Sequence, residues 1–393
     1  MLNEQGLSEE QVFSRLNELL KNDATYRSGH PVASMSTIPH SIGSKVFFKT
    51  IEKNAGRLHT FKGSAQVERE VIEMIGDLLS LDEPYGTTTS GGTESNILAM
   101  LAARESKRKI KGTPEIIAPK TVHSSVDKAA WLLGIKLVKT GVDKEFRGNP
   151  TSLEKKITSN TIGIFTTAGT TYLGQIDPIE KIGEIAEDYN LPLHVDAAFG
   201  GYVIPFLKDL GIAFHKFAFE VDGVTSVSSD PHKMGLAPIP AGSLLFREKT
   251  FMKKITKDIP YLQGASSTQS TILGTRPAGA ILATWAVMKH LGKEGYRDIV
   301  LECMENTRVA LDRLELNPLL KPAIPPVMNI IGIESTEVTI DYIVEKMEQK
   351  GWRMATSPKP HTIRLVIMPH VNAGALNAFF NDLDQVSTTI PAD

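Results

Sequence analysis

Cysteine is almost absent from this 393-residue chain, Cys303 being the only one. A single thiol cannot close an intrachain disulfide, and the lack of thiol clusters excludes the usual structural zinc patterns, so no metal is expected and a reducing compartment fits. An excess of charge of one sign is missing as well. The formal net charge of −2 gives no general attraction for nucleic acid or for an anionic membrane surface. No Pro-rich, Gly/Ser-rich or repeated segment stands out, which argues against disorder beyond the ends. No apolar run is long enough to span a bilayer, and Met1 to Glu10 carries acids and no apolar core, unlike a secretory leader. The expected location is the cytoplasm, with neither nucleic acid nor membrane as partner.

What is present points to a soluble α/β protein. Apolar residues make up 41% and charged residues 22%, ordinary values for a globular chain, and the length favours a large domain plus a smaller one. Ser8 followed by Gln11 reads as a capping box, and Val12, Leu16, Leu19 and Leu20 recur at helical spacing behind it. From Tyr85 to Phe246, β-rich runs alternate with helical stretches, the pattern of a parallel sheet with crossover helices. The strand candidates are Ile116–Ala118, Leu137–Lys139, Ile162–Thr167, Leu193–Val195, Val224–Val227 and Ser243–Phe246. A long helical region covers Ala278 to Leu314. The cluster Pro322, Pro325 and Pro326 then interrupts helical periodicity. Beyond it, strand Val327–Ile333, helix Ile340–Lys350, strand Trp352–Ala355, strand Ile363–Met368 and helix Ala373–Val386 make a small α+β unit. The expected division is 1–60 as an N-terminal segment, 61–320 as the large domain and 321–393 as the small one.

The chemistry gathers where strands end. Ser228-Ser229-Asp230-Pro231-His232-Lys233 follows an apolar strand, and open α/β sheets bind ligands at their carboxyl edge. A lysine amine there serves Schiff-base chemistry once burial or a neighbouring cation favours its neutral form; otherwise Lys233 is a solvated loop lysine. In His194-Val195-Asp196-Ala197-Ala198 an acid closes a strand, and a buried carboxylate needs a partner. A protonated pyridine nitrogen is one, which would make the ring an electron sink; a helix N-cap is the plainer reading of Asp196. Ser90-Gly91-Gly92-Thr93-Glu94-Ser95-Asn96 follows a β-rich run and opens a helix, the layout of a phosphate cradle or of an ordinary tight turn. His123, just past another strand, is placed to stack on a planar ring or to cap a helix.

These four segments occur together and in order, and with them the chain resembles the group II pyridoxal-phosphate (PLP) dependent amino-acid decarboxylases from about Met35 to Pro369. The short archaeal tyrosine/aspartate or glutamate decarboxylases look most similar. The resemblance implies fold type I, the aspartate-aminotransferase-like architecture. That means a mainly parallel seven-stranded sheet in the large domain, a small C-terminal α+β domain, and a homodimer with shared active sites. It further implies an N-terminal segment packed on the partner and PLP bound to Lys233. Position by position, His123 would stack on the ring, Asp196 pair with its nitrogen and Ala198 touch its face. Gly91, Gly92, Thr93 and Ser229 would hold the phosphate, and His232 would lie beside the linkage. Thr170 would sit near the phenolic oxygen, and Thr275, in Gly274-Thr275-Arg276, would reach the partner's phosphate.

One departure concerns proton return to Cα. About forty residues separate Lys233 from Gly274, so the long mobile loop of the larger aromatic-amino-acid decarboxylases is shortened, and Tyr261 is either the acid or packing material. Ser36, Thr37 and His40 match a substrate-pocket segment, and Arg364 in an apolar strand needs an anion, a substrate carboxylate or a structural acid. The expected reaction is α-decarboxylation of an L-amino acid (tyrosine, aspartate or glutamate) to CO2 and an amine. The alternatives are another PLP-dependent lyase or transferase reaction on the same scaffold, or a catalytically silent PLP-binding protein. Cys303 within a helix argues against desulfurisation.

Overall fold

The computed structural model of the protein describes residues 2, 4–57, 59–107, 110–213, 215–260 and 268–388. Seven strands form the large sheet: β1 (Tyr85–Thr89), β2 (Glu115–Pro119), β3 (Lys136–Thr140), β4 (Thr161–Thr167), β5 (Leu193–Asp196), β6 (Val224–Ser229) and β7 (Gly242–Phe246). Their order is β1-β7-β6-β5-β4-β2-β3. Only β7 runs against its neighbours β1 and β6, so the other six strands deliver their carboxyl ends to one edge. Covering both faces explains why the central strands β4, β5 and β6 are buried almost throughout, polar positions included. Leu244 and Phe246 join one core cluster and Leu245 the other, and Ile116 and Ala118 are likewise separated from Ile117.

The small unit is an antiparallel sheet in the order Leu320–Pro322, Ile330–Ser335, His361–Val366, Thr356–Pro358, flanked by helices Ile340–Gln349 and Ala373–Thr388. Its core cluster also takes Val32 from the N-terminal segment and Ala310 and Leu314 from the long helix. Here the sequence reading shifts in three places. The stretch Trp352–Ala355 forms no strand: the Trp352 ring is buried edge-on against Phe379, its N–H donates to Asp382 Oδ2 at 2.9 Å, and the short strand lies after it. The strand expected from Val327 starts at Ile330. An unexpected edge strand, Leu320–Pro322, ends on the first proline of the cluster, since an edge tolerates a proline that a central strand does not. The long helix spans Gly279–Glu315 with a break at Gly292, whose φ is 56°.

At the N-terminus, helix Glu9–Leu20 carries the expected capping box: Gln11 N donates to Ser8 Oγ at 3.2 Å and Ser8 N to Gln11 Oε1 at 2.9 Å. None of its residues is buried, so Val12, Phe13, Leu16, Leu19 and Leu20 form an exposed apolar face. Among the described residues no helix is long and apolar enough to cross a membrane.

Candidate active site

Five of the six aligned strands place chemistry-bearing residues around one cavity of about 280 Å³. Its wall holds Ser90, Gly91, Gly92 and Thr93 after β1, His123 after β2, and Thr167, Gly169 and Thr171 at the end of β4. It also holds Asp196, Ala198 and Phe199 from β5, and Asp230, His232 and Lys233 after β6; Met35 closes it from the N-terminal segment. The turn between β1 and helix Gly92–Ser106 is shaped by glycine. Gly91 has φ 147°, and a Cβ on it would come within 3.0 Å of His232 Cε1. A Cβ on Gly92 would meet Ala198 Cβ and Asp230 Oδ2, both at 3.1 Å. The first N–H groups of a helix have no partner within it, and here they open beside the cavity.

Lys233 and Asp230 form a close ion pair on this wall, Nζ to Oδ2 at 3.3 Å. Asp230 is almost wholly buried, His232 Nε2 stands 3.7 Å from the same oxygen, and Asp230 Oδ1 has no hydrogen-bond partner. Ala241 N donates to His232 Nδ1 at 3.3 Å, which turns the other ring nitrogen toward the acid. Asp196 accepts from Asn96 Nδ2 at 2.8 Å, from Ala198 N at 3.1 Å and from Ser228 Oγ at 3.4 Å. His123 caps helix Ser124–Leu133, with Ser125 N donating to its Nδ1 at 3.2 Å. Burial pulls the His123 pKa below its ordinary value, Asp196 and Asp230 opposing that pull while Lys233 and Arg364 add to it.

Other expected residues sit elsewhere. Ser229 is fully buried next to Gly201, with its hydroxyl unpartnered, and does not line the cavity. Thr170 Oγ1 accepts from Gln175 N within its own turn at 3.0 Å while its neighbours face the cavity. Thr37 is hydrogen-bonded to His370 at 2.8 Å, and His40 caps helix Ser41–Lys49 and packs on His290. Within one chain Ser36, Thr37 and His40 are off the wall, and Met35 takes their place. Thr275 is exposed, and Arg276 beside it is engaged by Glu68 at 2.9 and 3.0 Å. Tyr261 lies outside the described residues. The Arg364 guanidinium donates to Thr171 O at 3.1 Å and Ala33 O at 2.7 Å. Its Nε is buried without a partner, and no carboxylate among the described residues pairs with it. Cys303 is buried and its thiol is pushed up to about 12 by that burial, which leaves it protonated and unreactive.

Comparison with known proteins settles the family. Residues 2–318 match the model described as "Pyridoxal-dependent decarboxylase conserved domain". The chain belongs to this family. It is 43% identical over 387 residues to the L-aspartate decarboxylase of Thermococcus kodakarensis, covering 98% of this chain and 99% of that one. It is 40% identical over 385 residues to a probable L-tyrosine/L-aspartate decarboxylase of Methanocella arvoryzae, covering 98% and 100%. The solved glutamate decarboxylase of Lactobacillus brevis superposes with a TM-score of 0.91 at 22% identity, covering 100% of this chain and 96% of that one, a likeness of fold. The protein is thus a PLP-dependent amino-acid decarboxylase of fold type I.

The cavity fits that cofactor. It offers an amine, an acid held by three donors, a ring that can cover a planar face, and a side-chain-free turn at a helix start. Unpartnered polar atoms, Asp230 Oδ1 and Thr167 Oγ1, belong to wall residues. The residues that the motif reading did not single out are Asn96, Ser125, Asp230, Thr167, Phe199 and Met35. Asn96 and Asp230 stood inside the quoted segments, and four-residue helical spacing from Gly92 was a usable signal for Asn96.

Proposed function

We propose that this decarboxylase acts on a small acidic L-amino acid, L-aspartate first, releasing CO2 from the α-carbon and leaving β-alanine. The observation that carries the reading is Arg364, a half-buried cation without an acid partner beside a cavity of about 280 Å³. Taken up by the side-chain carboxylate of the substrate, it would leave the α-carboxylate free to depart as CO2, a pairing open to aspartate and not to tyrosine, whose side chain is a neutral phenol. The names of the similar archaeal proteins favour the same substrate.

When bound, PLP supplies the sink for the electron pair left at Cα as CO2 departs. The chain's own residues do the rest. Lys233 Nζ carries the cofactor, and Asp230 stabilises that amine until it is needed. Asp196, oriented by its three donors, would pair with the ring nitrogen and keep it protonated. His123 and Ala198, both on the cavity wall, would pack against the ring. Gly91, Gly92 and Thr93 take the phosphate with backbone N–H groups and a hydroxyl, Ser229 supporting them from behind. His232 stays beside Lys233 and Thr170 near the phenolic oxygen. Arg364 binds a substrate carboxylate, with Ser36, Thr37 and His40 shaping the approach. Tyr261 returns the proton to Cα.

The working unit in this reading is a cytoplasmic homodimer. Its support is the exposed apolar face of helix Glu9–Leu20, which asks for cover, and exposed Thr275, which is free to serve a partner's site. Residues 1–60 then form the arm, 61–320 the cofactor domain and 321–393 the small domain. The test is CO2 and amine release by the PLP-loaded enzyme from L-aspartate, L-glutamate and L-tyrosine. The highest kcat/KM is expected with aspartate; a preference for tyrosine, or no CO2 from any of the three, overturns the reading.

A further inference from the structure

Behind the cavity wall a hydrogen-bonded chain runs from His194 to His123 through Asn96 and Ser125, two groups that the reaction itself does not use. His194 Nδ1 meets Ser226 Oγ at 2.9 Å and its Nε2 meets Asn96 Oδ1 at 2.9 Å. Asn96 Nδ2 donates to Asp196 Oδ2 and to Ser125 Oγ, both at 2.8 Å. Ser125 Oγ meets His123 Nδ1 at 2.9 Å. Asn96, Ser125, His194 and Asp196 are all buried, so each donor and acceptor has to be matched.

Counting protons fixes the direction of every bond. An ionised carboxylate only accepts, so the Asn96 amide turns its NH2 toward Asp196 and its oxygen toward His194. Burial brings the His194 pKa down to about 4, so the ring is neutral near neutral pH and its one proton sits on Nε2, facing that oxygen. Nδ1 then accepts from the Ser226 hydroxyl. At the other end the Ser125 backbone N–H donates to His123 Nδ1 at 3.2 Å, which makes that nitrogen an acceptor, so the Ser125 hydroxyl, itself accepting from Asn96, gives its own proton to the same nitrogen. His123 Nδ1 therefore carries no proton, and the neutral ring holds its proton on Nε2. No described residue pairs with that nitrogen, and His123 lines the cavity.

We propose that Asn96 is a positioning residue that serves two groups with one amide: it aims the Asp196 carboxylate and, through Ser125, sets His123 as the Nε2–H tautomer. His123 then presents a hydrogen-bond donor, not a base, to whatever occupies the cavity. The charged groups facing His123 are Asp196, Asp230, Lys233 and Arg364; they bear on whether the ring gains a second proton, whereas Ser125 decides which nitrogen keeps the first. The inference rests on the proposed reading only for the identity of the occupant.

Ring-15N histidine NMR of the PLP-loaded enzyme near neutral pH, assigned with single His→Gln variants, reads the tautomers directly. The proton is expected on Nε2 of both His194 and His123. Asn96→Leu should shift His194 toward Nδ1–H, since Ser226 becomes its remaining partner, and should raise the PLP dissociation constant about tenfold, the loss expected for one hydrogen bond to a charged group. Ser125→Ala removes only the last link; a detectable Nδ1–H population should appear at His123 while PLP affinity stays within about twofold. If Asn96→Leu does not fold, the wild-type tautomers and Ser125→Ala decide the matter. A proton on Nδ1 of either histidine in the wild type overturns the proposal, as do variants that lose thermal stability with tautomers and affinity unmoved. Neither readout depends on turnover, so a wild-type enzyme that failed to decarboxylate aspartate would sink the substrate reading and leave this result standing.

Discussion

In the proposed reading the cofactor side and the substrate side of the cavity are built differently. On the cofactor side, Gly91, Gly92, His123, Asp196, Asp230 and Lys233 each sit within a few residues of the end of a strand in one sheet, so every one is positioned by a strand-end turn or by a neighbouring element of that same sheet layer, as Asp196 is by Asn96. On the substrate side, Arg364 comes from the small sheet and Met35 from the N-terminal segment, held against Thr171 by contacts such as Arg364 to Ala33 O at 2.7 Å. The first side depends on one sheet folding correctly. The second depends on three distant segments meeting, and substrate choice is therefore the property more open to change by mutation.

That contrast sets the order of effects. Asp196→Ala on the cofactor side should lower kcat by roughly 10²–10³-fold for every substrate, comparable to the loss of one preorganised charge-stabilising group, as measured by CO2 release with saturating PLP. An effect confined to one amino acid would break the division. Arg364→Met on the substrate side should raise KM for aspartate about 10- to 100-fold, the worth of a charge-assisted carboxylate contact. Absorbance of the bound cofactor should be unchanged. If the cofactor is lost instead, Arg364 belongs to the other side.

The same division explains what was legible in the sequence. The turns after β1, β2, β5 and β6 were readable because each follows a β-rich run, apolar in β2 and threonine-rich in β1, with a chemically loaded turn at its end. Asp230 and Asn96 were harder, since an acid next to a lysine and an amide inside a helix look ordinary until the fold brings Lys233 to 3.3 Å and Asp196 to 2.8 Å. Thr37 and His40 lay in a polar stretch whose pairing with His370 and His290 bridges more than two hundred residues, and no local pattern encodes that. In the small domain, Trp352 looked like a strand residue by its β propensity, but burial against Phe379 took it into the core without a ladder.

A weaker effect lies beneath the cofactor side, where two buried groups oppose each other across one pH window. Burial lowers His194 from 6.5 to about 4, so the unfolded chain binds that proton first and stability is lost as pH falls through this range. Burial raises Asp177 from 3.8 to about 6 against the Gly148 and Thr167 N–H bonds that hold it, so the folded protein keeps that proton and stability is lost as pH rises. Each is worth about 3 kcal/mol, from roughly two pKa units or slightly more, and the two nearly cancel. Asp177→Asn should unmask the histidine. Urea unfolding of the variant should show stability falling about 3 kcal/mol more steeply than wild type between pH 6.5 and 4; parallel curves would show that the two groups are not opposed.

The central claim is that one amine, Lys233, carries the cofactor at the meeting point of these strand ends. Borohydride treatment of the PLP-loaded enzyme, followed by peptide mapping, tests it most directly. A phosphopyridoxyl group is expected on Lys233, and none in Lys233→Ala, which should also lose turnover by on the order of 10⁴-fold. A label on another lysine, or turnover at the wild-type rate without Lys233, would contradict it.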